Sequence, residues 1–312
     1  MASTFVDRGG TFTDVVTFSD DGSVRIRKVP SDRAVVGLLA EGDLTFGTTV
    51  ATNALLEHTG VPVALLTTAG FEDLVRIGDM TRPDLFDPDA RWPDPLVTRV
   101  VGIEERCGPN GEQTTPLALP EDLDLDGIQS VAIALLHGPA APEHEDRLAA
   151  FVRARWPHLH VSIGHALDPA VGLLPRLHTT LVDAAITPVL RDALDRDRIP
   201  AGARAMRSDG SLVDAAELRA PEAVLSGPAG GVLAVAAVAR AAGFERAVGL
   251  DMGGTSTDVC RVEVGDLPRR EGHVEVAGVR LRRPMLEVET IAAGGGSVLA
   301  SDGLRLSVGP RS

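Results

Sequence analysis

The sequence predicts an α/β protein made of two related half-domains, each opening on an antiparallel β-meander. Three observations carry this expectation. The pattern D-x-G-G-T-x-T-D-V is written twice, in DRGGTFTDVV (7–16) and in DMGGTSTDVC (251–260). Both copies have the same flanks: an apolar β-type run before the glycines, a Thr- and Val-rich run after them, then a second turn and another alternating run. Between the copies, short apolar runs alternate with helical patterns, as βαβ units do.

In chain order, Ser3–Val6, Phe12–Phe18 and Val24–Val29 form the first meander, with Asp20-Asp21-Gly22 as its second turn. Thr52–Glu57 reads as a short helix ending before Gly60, and Pro62–Leu66 as a buried strand. Arg82–Leu125, dense in Pro, Asp and Gly, is the most loop-like region. Gln129–Leu136 is an apolar strand, and Pro142–Trp156 is a helix with proline at its start and Pro157 beyond its end. His160–Ile163 is a short strand, and Arg176–Arg198 a longer amphipathic helix bent at Pro188. Ala229–Ala242 is a small-residue helix opened by Ser226-Gly227-Pro228 and stopped by Gly243. Ala247–Leu250, Thr257–Val264 and His273–Val279 repeat the meander. Ile291–Ser297 is a glycine turn after an apolar strand, and Leu299–Val308 follows it. The division expected is 1–200, a half-domain with an inserted α/β segment, and 201–312, the start of a second half-domain. Less chain follows the second repeat than the first half-domain uses, so an N-terminal portion of a longer protein is expected.

Composition narrows the function classes. A formal charge of −14 argues against broad binding to nucleic acid or to an anionic membrane. Cys107 and Cys260 are far apart and form no framework, which fits a reducing cytoplasm. No basic segment followed by an apolar run opens the chain, and no apolar run approaches the roughly 20 residues of a membrane span. Neither a signal peptide nor a membrane partner is expected.

The repeated turns have the chemistry of a phosphate grip. Glycines let backbone N–H groups approach an anion closely, threonine hydroxyls add donors, and a leading aspartate at a strand end can hold Mg²⁺. The chain has no G-x-x-x-x-G-K-[ST], and Lys28, its only lysine, is not in a glycine loop. Weaker candidates surround these turns. Thr48, Thr49 and Asn53 in GTTVATNALL face a cleft, or Thr49 or Thr52 merely caps a helix. SGPAGG (226–231) opens a helix and is an anion site or a close-packing device. Arg82, Asp84 and Asp87 in TRPDLFD contact substrate or form a salt-bridged loop. Asp14 and Asp258 close each repeat and have a turn-capping alternative. His158, His160 and His165 lack a completing acid or thiol and read as surface histidines. Neither cysteine reads as a nucleophile.

Taken together, DRGGTFTDVV (7–16), FGTTVATNALLEHTG (46–60), LLTTAGFEDLVRIGDMTRPDLFD (65–87), RSDGSLVDA (207–215), LSGPAGGV (225–232), LDMGGTSTDV (250–259) and AAGGGSV (292–298) resemble the N-terminal half of the hydantoinase A/oxoprolinase family. DRGG with TRPDLFD is similar to its 5-oxoprolinase type. The resemblance implies an actin-like, ribonuclease H-like ATPase fold, with ATP and Mg²⁺ as cofactors. It implies a hydrolase that opens a cyclic amide, 5-oxoproline or a hydantoin-type ring, after phosphorylation of the amide oxygen. The alternatives within the fold are the ATP-using subunit of an acetone- or acetophenone-type carboxylase and a sugar-kinase-like phosphotransferase. An Hsp70-like nucleotide switch is a non-enzymatic rival. Carried over residue by residue, Asp7 and Asp251 take Mg²⁺ and are the catalytic pair. Gly9, Gly10, Thr11 and Thr13 hold phosphate from one side, and Gly253, Gly254, Thr255, Ser256 and Thr257 from the other. Gly294, Gly295 and Gly296 form the adenosine-side turn. The implied partners are a small cyclic amide and a hydantoinase B-type subunit or C-terminal region, in an oligomer. One departure lies in VGLLPRLHTTLVDAA (171–185). Thr179 and Thr180 fit the family's pattern, whereas Leu173, Leu174 and Pro175 replace a more acidic stretch and Asp183 stands in place of Asn.

Overall fold

In the computed structural model, the described residues are 2–9, 12–31, 42–82, 84–87, 89–254, 256–267, 269–270, 273–276, 278–301 and 303–309. Strands β1 (Ala2–Arg8), β2 (Phe12–Phe18) and β3 (Val24–Pro30) form the expected antiparallel meander. Alternation sets its faces: Val6 and Val15 are buried, while Phe5 and Phe18 meet edge to face on the outer side, 5.8 Å between centroids. On the other edge of β1, β4 (Gly42–Thr48) runs parallel, Asp7 opposite Gly47. Helix α1 (Val50–Leu56) follows at once.

A second, all-parallel sheet comes next. It contains β5 (Val63–Thr68) and, after α2 (Leu74–Ile77), β6 (Arg99–Ile103). The hairpin β7 (Arg106–Cys107) and β8 (Gln113–Thr115) lies within the region expected to be loop. The sheet gains β9 (Ser130–Ala134) and, after α3 (Pro142–Arg155), β10 (His160–Ile163), in the order β10-β9-β5-β6. Every residue of β5 and β9 is buried, as both faces of a parallel sheet require.

After α4 (Gly164–Leu167), α5 (Leu173–Arg196) packs against α1, β9 and β10. It starts ahead of the predicted Arg176 because Gly172, at φ 111°, makes the turn into it. Its buried threonines and Asp183 are paired within the protein. Thr179 and Thr180 donate to Pro175 O and Arg176 O. Asp183 accepts from Ser162 Oγ (2.7 Å), Thr187 Oγ1 (2.8 Å) and Arg219 Nη1 (2.9 Å). Burial pushes the Asp183 carboxyl upward, but these partners and His160 outweigh it and hold the pKa low. Strands β11 (Arg204–Met206) and β12 (Leu212–Asp214) extend the first sheet to the order β12-β11-β4-β1-β2-β3. Residues 204–214 thus pair with the first half-domain, although the sequence division placed them in the second.

Helices α6 (Ala220–Ala223) and α7 (Ser226–Ala241) are separated by Leu225 at φ 62°. Contrary to the reading of apolar runs, residues 220–241 are long and apolar enough by composition to cross a bilayer. The junction between the two helices is tied into the protein, Leu225 N–H to Thr52 Oγ1 and Ser226 Oγ to Thr48 O. The chain continues through β13 (Arg246–Met252), β14 (Thr257–Glu263), β15 (Arg269–Arg270), β16 (Val274–Val276), β17 (Val279–Leu281), β18 (Met285–Leu286) and β19 (Glu289–Ile291). A last hairpin joins β20 (Leu299–Ser301) to β21 (Leu306–Val308). The third strand of the second meander is β19, not the expected His273–Val279. Gly278, at φ 75°, folds that segment back on itself as the β16–β17 hairpin.

Candidate functional site

The two repeats build the same local structure. Asp7 lies opposite Asp14 across β1–β2, and Asp251 opposite Asp258 across β13–β14. Gly9 N–H donates to Phe12 O at 3.1 Å, and Gly253 N–H donates to Ser256 O at 2.9 Å. The same backbone bond therefore closes the same position of both turns. Gly10, Thr11 and Thr255 lie outside the described residues. Asp14 and Asp258 do not cap the turns. Each reaches across to the next strand, Asp14 to Lys28 Nζ (2.8 and 3.1 Å) and Asp258 to Thr290 Oγ1 (2.7 Å).

Thr13 and Thr257 correct the expectation for the hydroxyls. Both are buried, and both turn inward: Thr13 Oγ1 meets Ser31 Oγ at 2.9 Å, and Thr257 Oγ1 donates to Ala293 O at 2.6 Å. They hold the turns rather than face an anion. Ser31, which sequence reading passed over, is the brace of the first turn, because its Oγ also donates to Gly9 O at 2.8 Å. Arg8 adds to the brace, donating to Ser31 O and pairing with Asp197 just past α5.

Two weaker motifs converge on this turn. Thr49 N–H donates to Arg8 O at 3.1 Å, and Asn53 Nδ2 donates to Thr49 Oγ1 at 3.3 Å. Thr49 occupies the N-cap position of α1 without making a side-chain cap bond, and Thr52 is spent on Leu225 N–H. A Cβ on Gly47 would stand 3.5 Å from Asp7 Oδ1, so the space beside that carboxylate is kept by a glycine. The start of α7, in SGPAGG, lies here too, with Gly227 facing Thr49 Cγ2.

The third glycine run docks on the second turn. Gly295 N–H donates to Gly253 O (2.9 Å) and Gly296 N–H to Gly254 O (2.8 Å), while Gly294 N–H donates to Ser297 Oγ (2.8 Å). A Cβ on Gly294 would lie 2.7 Å from backbone atoms of Gly253 and Gly254, so only glycine fits.

Helix α7 relates the two clusters. Residues 242–245 return the chain, so β13 runs back along α7, with Gly249 against Val235. From Gly249 to Met252 the strand advances about 10 Å, which matches about seven residues of helix. Met252 and the second turn are therefore level with the first turn of α7, the end that sits on Thr48 and Thr49. Both glycine turns lie at one end of this helix.

Asp7 presents an exposed edge, yet the protein mass behind it raises its pKa. Asp14 opposite adds to the rise, and Lys28 works against it. An acid in this position gains from a bound cation. The remaining candidates take other roles. Asp84 and Asp87 accept from Phe86 N–H and Asp89 N–H as local turn residues, while Arg82 lines a cavity below α5. The three histidines disperse: His160 joins Ser162 and Asp183, and His165 Nδ1 meets Glu145 at 2.8 Å. Cys107 instead lies buried with Glu105 and His144, a group that could be read as metal ligands. Its Sγ is 3.6 and 3.9 Å from the two ring nitrogens of His144, hence off both lone-pair directions, and Nδ1 already meets Glu105 Oε2 at 2.9 Å. That group is a buried hydrogen-bonded network. Cys260 packs in the core between α7 and β14.

Comparison with known proteins places this arrangement. The crystal structure of ATP-dependent caprolactamase from Pseudomonas jessenii superposes with a TM-score of 0.80 at 32% identity, covering 99% of this chain and 51% of that one. The caprolactamase subunit alpha sequence is 34% identical over 98% of this chain and 50% of its own length. Nucleotide-free acetone carboxylase superposes with a TM-score of 0.79 at 22% identity, covering 99% and 51% of the two chains. The 5-oxoprolinase of Saccharomyces cerevisiae is 32% identical over 98% of this chain and 29% of its own. The chain thus spans between about a third and half the length of these relatives. The fold is the mixed α/β architecture of actin-like ATPases. The hydantoinase/oxoprolinase N-terminal region model matches residues 3–155 and the hydantoinase/oxoprolinase model residues 176–312, and the chain belongs to that family.

Proposed function

We propose that this chain is the nucleotide-binding portion of an enzyme that couples ATP hydrolysis to the opening of a cyclic amide. The observation that carries the reading is the pair of Asp-x-Gly-Gly turns at one end of α7, alike in strand register and in closing backbone bond. The named relatives, 5-oxoprolinase and ATP-dependent caprolactamase, support the reaction class. The name of the caprolactamase subunit supports a second subunit as partner.

In this reading Asp7 and Asp251 would hold Mg²⁺ between the turns, and the backbone N–H of Gly254, which takes no part in the turn-closing bonds of Gly9 and Gly253, would face phosphate. The fit rests on the exposed Asp7 carboxylate beside the glycine-kept space at Gly47 and on the glycine-only packing at Gly294. Mg²⁺, when bound, supplies the positive charge that these acidic turns lack. Ser31 and the Arg8–Asp197 pair fix the first turn, and Thr257 fixes the second, so little reorganisation is required of either. The lactam oxygen takes the γ-phosphoryl group from ATP and ADP leaves. One water adds to the ring carbon and the C–N bond breaks, which leaves an acyl phosphate. A second water adds to the acyl carbon and expels phosphate with the original lactam oxygen. The nitrogen keeps a proton from water. Phosphate release from ATP with a lactam labelled with ¹⁸O at its carbonyl tests this in the protein assembled with its partner. The label is expected in inorganic phosphate. Label retained wholly in the product carboxylate would overturn this step, in which water attacks carbon and the lactam oxygen departs with phosphate.

A further inference from the structure

A cavity of about 430 Å³ opens between α5, the 78–96 loop and the β16–β17 hairpin. Leu174, Leu181 and Val182 of α5 give it an apolar floor, and Trp92 stands in its wall. The wall is closely fitted. A Cβ on Gly278 would lie 3.0 Å from Pro93 Cδ and 3.6 Å from Trp92 Cε3, so the hairpin closes on the loop only through a glycine. Asp79 ties the same parts together. It pairs with Arg280 and accepts from Thr81 N–H (3.1 Å) and Oγ1 (2.7 Å), while Trp92 Nε1 donates to Thr81 O (3.0 Å).

His178 is the polar group set into this floor. Arg280 N–H donates to its Nδ1 at 3.4 Å, so the proton of the neutral ring resides on Nε2. Burial, then the Arg280 charge, hold its pKa at about 4, and the ring is neutral near pH 7. Among the described residues nothing accepts from Nε2. The charges around the cavity lean positive. Asp79 and Arg280 neutralise each other, which leaves Arg76, Arg82 and Arg91 facing Asp94 and Glu275 in a chain of net charge −14. The cavity is also remote from the glycine turns: from His178 to Asp197, the anchor of Arg8, α5 rises about 28 Å.

We infer that this cavity is a second ligand site, separate from the phosphate turns, for a small cyclic molecule carrying a carboxylate. The ring lies on Leu174 and Trp92, an acceptor oxygen takes the His178 Nε2 proton, and the carboxylate meets Arg82. The cyclic-amide class of the ligand rests on the proposed function; the existence of the site does not. Trp92 and Trp156 are the only tryptophans, so a Trp156→Phe protein reports on the cavity through Trp92 emission. The probes are 5-oxoproline and 2-pyrrolidinone, the same ring without the carboxylate. Saturable change with 5-oxoproline is expected, with 2-pyrrolidinone weaker by about tenfold or more. His178→Phe and Arg82→Ala are each expected to weaken 5-oxoproline by about tenfold, and Asp251→Ala to leave it unchanged. No saturable change, equal binding of the two probes, or affinity indifferent to both cavity variants would overturn the site. Loss in Asp251→Ala alone would move the ligand to the glycine turns and overturn the separate site while leaving the proposed function standing. Retained 5-oxoproline binding in a protein that binds no Mg·ATP would uphold the site and sink the proposed function.

Discussion

Gly294→Ala is the sharpest perturbation of the second phosphate turn. The added Cβ would meet Gly253 O and the C and O of Gly254 at 2.7 Å, all of them backbone atoms. Relief to an ordinary 3.4 Å contact requires about 0.7 Å of displacement, which no side-chain rotation can supply. That displacement breaks or lengthens the bonds from Gly295 N–H to Gly253 O and from Gly296 N–H to Gly254 O. At about 1 kcal/mol each, the two bonds amount to about 2 kcal/mol, or about thirtyfold in an equilibrium constant. The adjacent Gly295→Ala is the matched control, because its Cβ would approach Gly253 O only to 3.7 Å. Calorimetric titration of Mg·ATP into both variants reads the difference. Gly294→Ala is expected to bind about thirtyfold more weakly, and Gly295→Ala within about threefold of the parent protein. Equal affinities in the two variants would refute the claim that the 294–296 run positions the nucleotide through the second turn.

Three further expectations follow from the structure. Ser31→Ala leaves the buried Thr13 hydroxyl without its partner and frees Gly9 O, so thermal unfolding should show a loss of about 1–3 kcal/mol with a parallel loss of Mg·ATP affinity. Because the Asp7 pKa is raised, protons should compete with Mg²⁺ at a higher pH than an ordinary aspartate near 3.8 would allow. Asp14→Asn removes the repulsion and should move the midpoint of the pH–affinity curve downward; an unchanged midpoint would contradict the assignment of Asp7. The bond to Glu145 leads the causes that raise the His165 pKa, so its contribution to stability is full below the unfolded value near 6.5 and is lost as pH rises through the folded value. His165→Gln should flatten that part of the melting temperature against pH curve.

The repeat was legible because its chemistry is local: Asp, two glycines and a Thr-rich strand dictate the same turn wherever they occur. Pro142 and Pro157 likewise bracketed α3 closely. What sequence reading missed is held by distant partners. β4 has only Leu44 and Phe46 as inward apolar residues, and β11 and β12 are three-residue strands that exist because β4 offers an edge. β19 is exposed throughout and carries no alternation to announce it. Ser31 is an unremarkable loop serine until the fold brings Gly9 and Thr13 to it. Thr13 and Thr257 misled for the converse reason, since sequence specifies a hydroxyl near a turn without specifying which way it faces.

The central claim is that Asp7 and Asp251 belong to one site. Its most direct test is Mg·ATP calorimetry on the parent protein, Asp7→Asn, Asp251→Asn and the double variant, each shown to be folded. The account predicts one nucleotide per chain, strong loss in either single variant, and a double-variant loss well below the sum of the two. Two nucleotides per chain, or losses that simply add, would show two independent turns and contradict it.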